Sequence, residues 1–154
     1  MFFDTVVLLI SLAALLLAIA SYRNSRNTPE LIHFSAPGTE NLNLPFAAAV
    51  QLEHTIYLSG NLGNIPGRLE LVSGGIEAET RQTMENIGSA LKAAGSSIDR
   101  VIKCTVFMAD IDEWQAMNEV YTTFFTVPPA RSALAAKGLA LDARVEIECI
   151  ALAR

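Results

Sequence analysis

The sequence predicts an α+β domain in which a mixed β-sheet carries two helices on one face, preceded by an apolar segment and a short polar tether. Three observations lead there. Runs at 47–52, 55–59, 101–108, 132–136 and 144–152 have the length and residue types of strands. Two stretches repeat apolar residues at helical spacing, one opened by Gly74-Gly75 and one preceded by Asp110 and Asp112. Each of those helices has a single apolar stripe and so needs only one sheet face. The other face is left bare, and a second copy of the chain is the natural cover for it.

The chain has 154 residues, and its apolar excess sits at the front. Thr5 to Tyr22 carries no charge, and about 18 such residues approach the short limit for crossing a bilayer core. The segment starts Met-Phe-Phe-Asp, without the positive n-region of a secretory signal, and Arg23 and Arg26 follow it. The expectation is a single-pass membrane anchor over residues 1–22. The two arginines place the following domain on the cytoplasmic side. Ala18-Ile19-Ala20 has the small-x-small form of a cleavage site, so the alternative is a periplasmic or secreted protein cut near Ala20. Residues 23–32 read as a polar tether, and the globular domain is expected over 33–154.

Within the domain, Glu53-His54 separates two short strands as a hairpin turn. The stretch from Gly60 to Gly67 is loop chemistry; it lacks the Lys, Ser or Thr of a phosphate loop, so nucleotide binding is not expected. Glu77 and Glu79 favour the start of the first helix, Met84, Ile87, Leu91 and Ala94 form its stripe, and Gly95 ends it. In the strand from Val101 to Met108, Ile102, Cys104, Val106 and Met108 share one face. The second helix has Trp114, Met117, Tyr121 and Phe124 as its stripe, and Pro128-Pro129 stops it. In the last strand Val145, Ile147, Cys149 and Ala151 alternate with Glu146, Glu148, Ile150 and Leu152.

Charge and composition exclude several function classes. The net charge is −5, and no Lys/Arg cluster with interleaved aromatics appears, so nucleic acid is not an expected partner. Cys104 and Cys149 lie in no Cys-x-x-Cys pair and have no histidine at ligand spacing, so no metal is expected. They read as two small buried apolar residues; a disulfide is the lesser alternative.

Few residues remain as candidates for chemistry. Arg131 follows Pro128-Pro129-Ala130 and precedes an apolar strand, a place from which a guanidinium can grip a carboxylate through two parallel hydrogen bonds. Glu146 and Glu148 share a partly apolar strand face, where carboxylates are costly without a partner or a task. Asn118 lies beside the stripe of the second helix, as a structural hydrogen-bonder or a site residue. His33 and His54 fall near turns with no acidic or serine partner close in sequence. On these residues alone the site is an arginine–glutamate pair of open purpose.

The motifs resemble those of the RidA (YjgF-type) family. The carrying segments are Ile56-Tyr57-Leu58-Ser59-Gly60, Gly75-Ile76-Glu77-Ala78-Glu79-Thr80-Arg81-Gln82 with Asn86-Ile87, and Val101 to Phe107. Further along come Met117-Asn118-Glu119-Val120-Tyr121 with Phe124-Phe125, Pro129-Ala130-Arg131-Ser132, and Val145-Glu146-Ile147-Glu148. The resemblance implies a chorismate-mutase-like fold and a homotrimer with clefts between subunits. It implies a hydrolase that deaminates 2-iminopropanoate and 2-iminobutanoate, or their enamine tautomers, without a cofactor. Arg131 would then clamp the substrate carboxylate and Glu146 would position the attacking water. Ser59, Gly60, Asn118 and the backbone N–H of Ala133 would line the same cleft. Phe46 stands where the family often has tyrosine, so one phenolic hydrogen bond is absent. The anchor lies outside the resemblance, and with Phe46 it motivates an alternative: a non-catalytic, membrane-tethered trimer that binds 2-oxo acids or acts in a chaperone-like way. A ribonuclease activity, attached to some family members, is disfavoured by the acidic charge and the lack of a general-base histidine.

Overall fold

The computed structural model describes residues 2–24, 29–39 and 42–154. They fall into two compact units, one up to Glu30 and one from Leu31 to Arg154. The first unit contains helix α1, Phe2–Asn24. The expected anchor is not found: among the described residues no helix is long and apolar enough to cross a membrane. The charge-free stretch from Thr5 to Tyr22 sits in α1 between Asp4 and Arg23, which confine its apolar length to the short end of a span. The membrane partner, the single-pass placement with a cytoplasmic domain, and the alternative of export and cleavage near Ala20 all depend on that segment and lose their support with it. Of the expected tether, residues 25–28 lie outside the described residues, and Leu31 and Ile32 belong to a strand.

The second unit is built on one mixed sheet. Its strands are β1 (Leu31–Phe34), β2 (Ala49–Leu52), β3 (Thr55–Leu58), β4 (Asn61–Leu62), β5 (Val101–Met108), β6 (Ala130–Ala135) and β7 (Val145–Leu152). The spatial order is β1-β2-β3-β7-β5-β6, and β4 pairs with β7 beyond the end of β3. Only β5 and β6 run parallel, joined by the crossover through helix α3 (Trp114–Thr122). Helix α2 (Gly75–Ala93) joins β4 to β5. The β2–β3 hairpin turns at Glu53, whose φ of 52° is left-handed.

The core lies between one sheet face and the two helices. β7 alternates strictly, with Val145, Ile147, Cys149 and Ala151 buried. From β5 come Cys104, Val106 and Met108; from α2, Met84, Ile87 and Leu91; from α3, Met117 and Tyr121. Ile102 departs from its expected face. A register shift between Val101 and Lys103 leaves it 45% exposed. α3 is shorter than its expected stripe: Asp110 caps a preceding 3-10 turn by accepting from Asp112 N–H, and Phe124 falls beyond the helix end.

Cys104 and Cys149 face each other across the antiparallel β5–β7 pair, and they form a disulfide with their Cα atoms 4.1 Å apart. The reading of two independent thiols is corrected by that register, which puts both sulfurs on the same buried face of neighbouring strands.

Neither α2 nor α3 covers the other sheet face. It presents Tyr57, Leu134 and Leu152, each more than 40% exposed, together with the half-buried Phe107 and Ile150. Lys103, Thr105, Glu146 and Glu148 share it.

Candidate active site

Arg131 is held by α3. It lies within β6, not ahead of it, directly beside Cys104 in the parallel register, and so belongs to the helix-covered face. The guanidinium reaches the stripe formed by Trp114, Asn118 and Tyr121, spaced i, i+4, i+7 on one side of α3. Its Nη2 donates to Asn118 Oδ1 at 2.8 Å. Its Cζ lies 4.7 Å from the centroid of the Tyr121 ring and 5.5 Å from that of Trp114. Both are cation–π distances. Among the described residues the carboxylate salt bridges are made by Arg68 and Arg144, and Arg131 is in none of them. It is therefore a half-buried, fixed cation whose in-plane edge is used by no carboxylate among the described residues. Tyr121 is buried among core residues, and its phenol is pushed up to about 12 by that burial, with the Arg131 charge pulling the other way. Ala133 follows two residues along the same face of β6.

A second group gathers at the end of β3. Ser59 Oγ donates to the Ala47 carbonyl at 2.7 Å, and Ser59 N–H donates to the Ala48 carbonyl at 3.0 Å. Ser59, Gly60 and Phe46 line a cavity of about 400 Å³ that also touches Leu44, Leu62 and Asn86. The Asn86 amide donates to the carbonyls of Leu62 and Asn64, both at 2.9 Å, and so pins the loop after Gly60 to α2. Glu146 abuts this group. It pairs with Leu62 across β4–β7, and a Cβ placed on Gly60 would lie 1.9 Å from Glu146 Oε1. Only a residue without a side chain leaves room for that carboxylate.

Burial raises the Glu146 carboxyl above its ordinary 4.5, and the like charge of Glu148 two residues along adds to the rise. The unfolded chain gives up this proton at lower pH than the folded one. The associated stability is therefore present below about 4.5 and is lost as pH rises through the raised value. Neutralising the neighbour in Glu148→Gln should move the Glu146 midpoint down, as read by carboxyl carbon NMR. A midpoint unmoved or shifted upward would show that Glu148 does not act on it.

The two groups do not meet within one chain. Arg131 lies in register with Cys104 on the helix-covered face. Glu146 lies opposite Phe107, of the other parity, on the bare face. Nor do Arg131, Asn118 and Ala133 line the cavity that holds Phe46, Ser59 and Gly60. The residues singled out from sequence thus form two half-sites: Arg131, Asn118 and Ala133 in one, Phe46, Ser59, Gly60 and Glu146 in the other. The contacts of Trp114 and Tyr121 with Arg131 are not legible in sequence, because an apolar helix stripe explains both residues. The available signal was the asparagine between them at the same helical spacing.

The start of β7 is anchored separately. Arg144 N–H donates to Glu79 Oε2 at 2.8 Å, and its guanidinium is gripped by Glu113, the residue before α3. Glu79 is buried as a result of this bond rather than free for chemistry. His33 lies in β1 and His54 in the hairpin turn, and neither lines the cavity.

A fixed arginine with an unused edge, and a carboxylate of raised pKa beside a cavity, suit recognition of a small anionic molecule and proton transfer to or from it. Comparison with known proteins gives the class. Residues 38–153 match the family described as Endoribonuclease L-PSP, and the chain belongs to that family. It is 43% identical over 109 residues to the 2-iminobutanoate/2-iminopropanoate deaminase of Mus musculus, covering 70% of this chain and 81% of the mouse protein. It is 40% identical over 108 residues to the chloroplastic Reactive Intermediate Deaminase A of Arabidopsis thaliana, covering 70% of this chain and 58% of that one. The crystal structure of yeast YEO7 superimposes with a TM-score of 0.76 at 33% identity, covering 81% of this chain and all of the yeast chain. The RidA-type α+β fold expected from the motifs is thus the fold observed.

Proposed function

We propose that the domain hydrolyses 2-imino acids, with 2-iminopropanoate and 2-iminobutanoate as the expected substrates, to 2-oxo acids and ammonia. The observation that carries this reading is Arg131: a guanidinium fixed by Asn118 and flanked by two rings, with no carboxylate among the described residues to neutralise it. The names of the relatives support the same chemistry. Water adds to the electrophilic C=N carbon, ammonia leaves, and a carbonyl remains. Glu146 takes a proton from the attacking water and returns it to the departing nitrogen. Arg131 holds the substrate carboxylate so that this carbon faces the water. Ser59 and Gly60 shape the wall beside the carboxylate of Glu146.

The two half-sites suit an assembly of copies. A homotrimer would cover the bare apolar face and bring Arg131 of one chain toward Glu146 of the next. Phe46, 56% exposed and without a hydroxyl, supports a second reading in which 2-oxo acids bind without turnover.

The test is the release of 2-oxo acid from freshly generated 2-iminopropanoate. Acceleration over buffer is expected. Buffer-rate release combined with 2-oxo acid binding would favour the second reading, and neither rate nor binding would reject both. Gly60→Ala supplies a finer check. The added methyl strikes the end of a flexible side chain, so the fold should survive with a melting temperature within a few degrees of wild type. The displaced carboxylate should lower kcat by roughly 10–100-fold. Unchanged kcat would remove Glu146 from the chemistry.

A further inference from the structure

We propose that Trp114 and Tyr121 are positioning residues for Arg131, and that Trp114 in particular sets the affinity for the substrate carboxylate. The inference rests on the deaminase reading and adds to it the device that aims the clamp. A free arginine side chain has many rotamers, and ordering it on binding costs free energy each time. Here it is ordered beforehand. Trp114 and Tyr121 are seven residues apart on α3, about 10.5 Å along the helix axis. The Arg131 carbon lies 5.5 Å from one ring and 4.7 Å from the other, with Asn118 between them taking Nη2. The rings therefore flank the guanidinium, and the amide fixes its rotation. What is left is the in-plane N–H edge, the one that forms two parallel bonds to a carboxylate.

The two flanks differ. Tyr121 is buried in the core and packs on Phe125 with centroids 4.9 Å apart, so it is a fixed wall. Trp114 is 40% exposed, covers the outer side, and can be changed with little loss of core packing. It is also the chain's single tryptophan, so its emission reports directly on the guanidinium it touches.

The experiment titrates the full chain with 2-oxobutanoate, a stable analogue of the substrate, following tryptophan emission in the wild type and calorimetry in all variants. The wild type should show a saturable emission change, absent in Arg131→Ala. Trp114→Leu should raise Kd and KM about tenfold and leave kcat within about twofold, because the contact serves ground state and transition state alike. Trp114→Phe, which restores a ring face, should bring Kd back to within about threefold of wild type. Binding of 2-oxobutanamide, which has no carboxylate, should not respond to Trp114→Leu. Equal Kd for wild type and Trp114→Leu, or a loss confined to kcat and melting temperature, would overturn the inference while leaving the deaminase reading in place. A wild type that neither binds 2-oxobutanoate nor turns over the imine rejects the deaminase reading, and the inference goes with it.

Discussion

Arg131→Ala is expected to lower kcat/KM for 2-iminopropanoate by roughly 10²–10³-fold, about 3–4 kcal/mol of lost transition-state stabilisation. The size follows from what the clamp does. A carboxylate leaving water needs a charged, bidentate partner to offset its desolvation, and this guanidinium is already oriented by Asn118, Trp114 and Tyr121. Arg131→Lys should recover little, because an ammonium neither presents a planar fork nor stacks in the same way between two rings. Stability should change far less than activity, since Arg131 makes no salt bridge among the described residues. Single-substrate kinetics with a melting curve on each variant separate the two effects. Full activity in Arg131→Ala would remove the carboxylate clamp from the account.

Opening the Cys104–Cys149 disulfide is expected to cost about 2–4 kcal/mol of stability and to lower the melting temperature by roughly 10 °C. The cross-link closes a loop across 45 positions of sequence, from the middle of β5 to the middle of β7. Removing it restores that much freedom to the unfolded chain. Denaturation with and without reductant checks this, and Cys104→Ala/Cys149→Ala gives the permanently open form. A melting temperature insensitive to reductant would show that the pair contributes nothing to stability in solution. The central strands carry both cysteines, so the loss should appear as a shift of one cooperative transition.

The parts of this fold that were legible in sequence are the ones decided locally. The run Val101 to Met108 gives a strand with the observed limits, and the strand expected over 144–152 begins one residue later, at Val145. The glycines at 74–75 and 95 bound the first domain helix closely. Strand β1 was not legible: Leu31–Phe34 has no alternation and is mostly exposed, and it is extended because it pairs with β2. β4 has two residues inside glycine-rich loop chemistry and exists because β7 offers it an edge. The disulfide depends on register between strands distant in sequence, which spacing does not reveal. The charge-free N-terminal run has the composition expected of a membrane span, yet no helix among the described residues is long and apolar enough to cross one.

The candidate site residues could be singled out by type but not by arrangement. Arg131, Asn118 and Glu146 stand out by type and place, and the first two do meet. That Arg131 and Glu146 point to opposite faces of one sheet follows from the parity of three strands in register. Such parity is a property of the assembled sheet, and one residue of slip would reverse it. The aromatic flanks of Arg131 were hidden by their second role as part of an apolar helix stripe.

The central claim is that the guanidinium and the carboxylate that act on one substrate belong to different copies of the chain. The direct test mixes two inactive variants, Arg131→Ala and Glu146→Gln, by unfolding and refolding them together and assaying the whole refolded population. With random assembly of equal amounts, about one interface in four should contain both intact groups. Deaminase activity should therefore reappear at about a quarter of the wild-type level per chain. Mixed oligomers as inactive as their parents would contradict the claim and place both groups on the same copy.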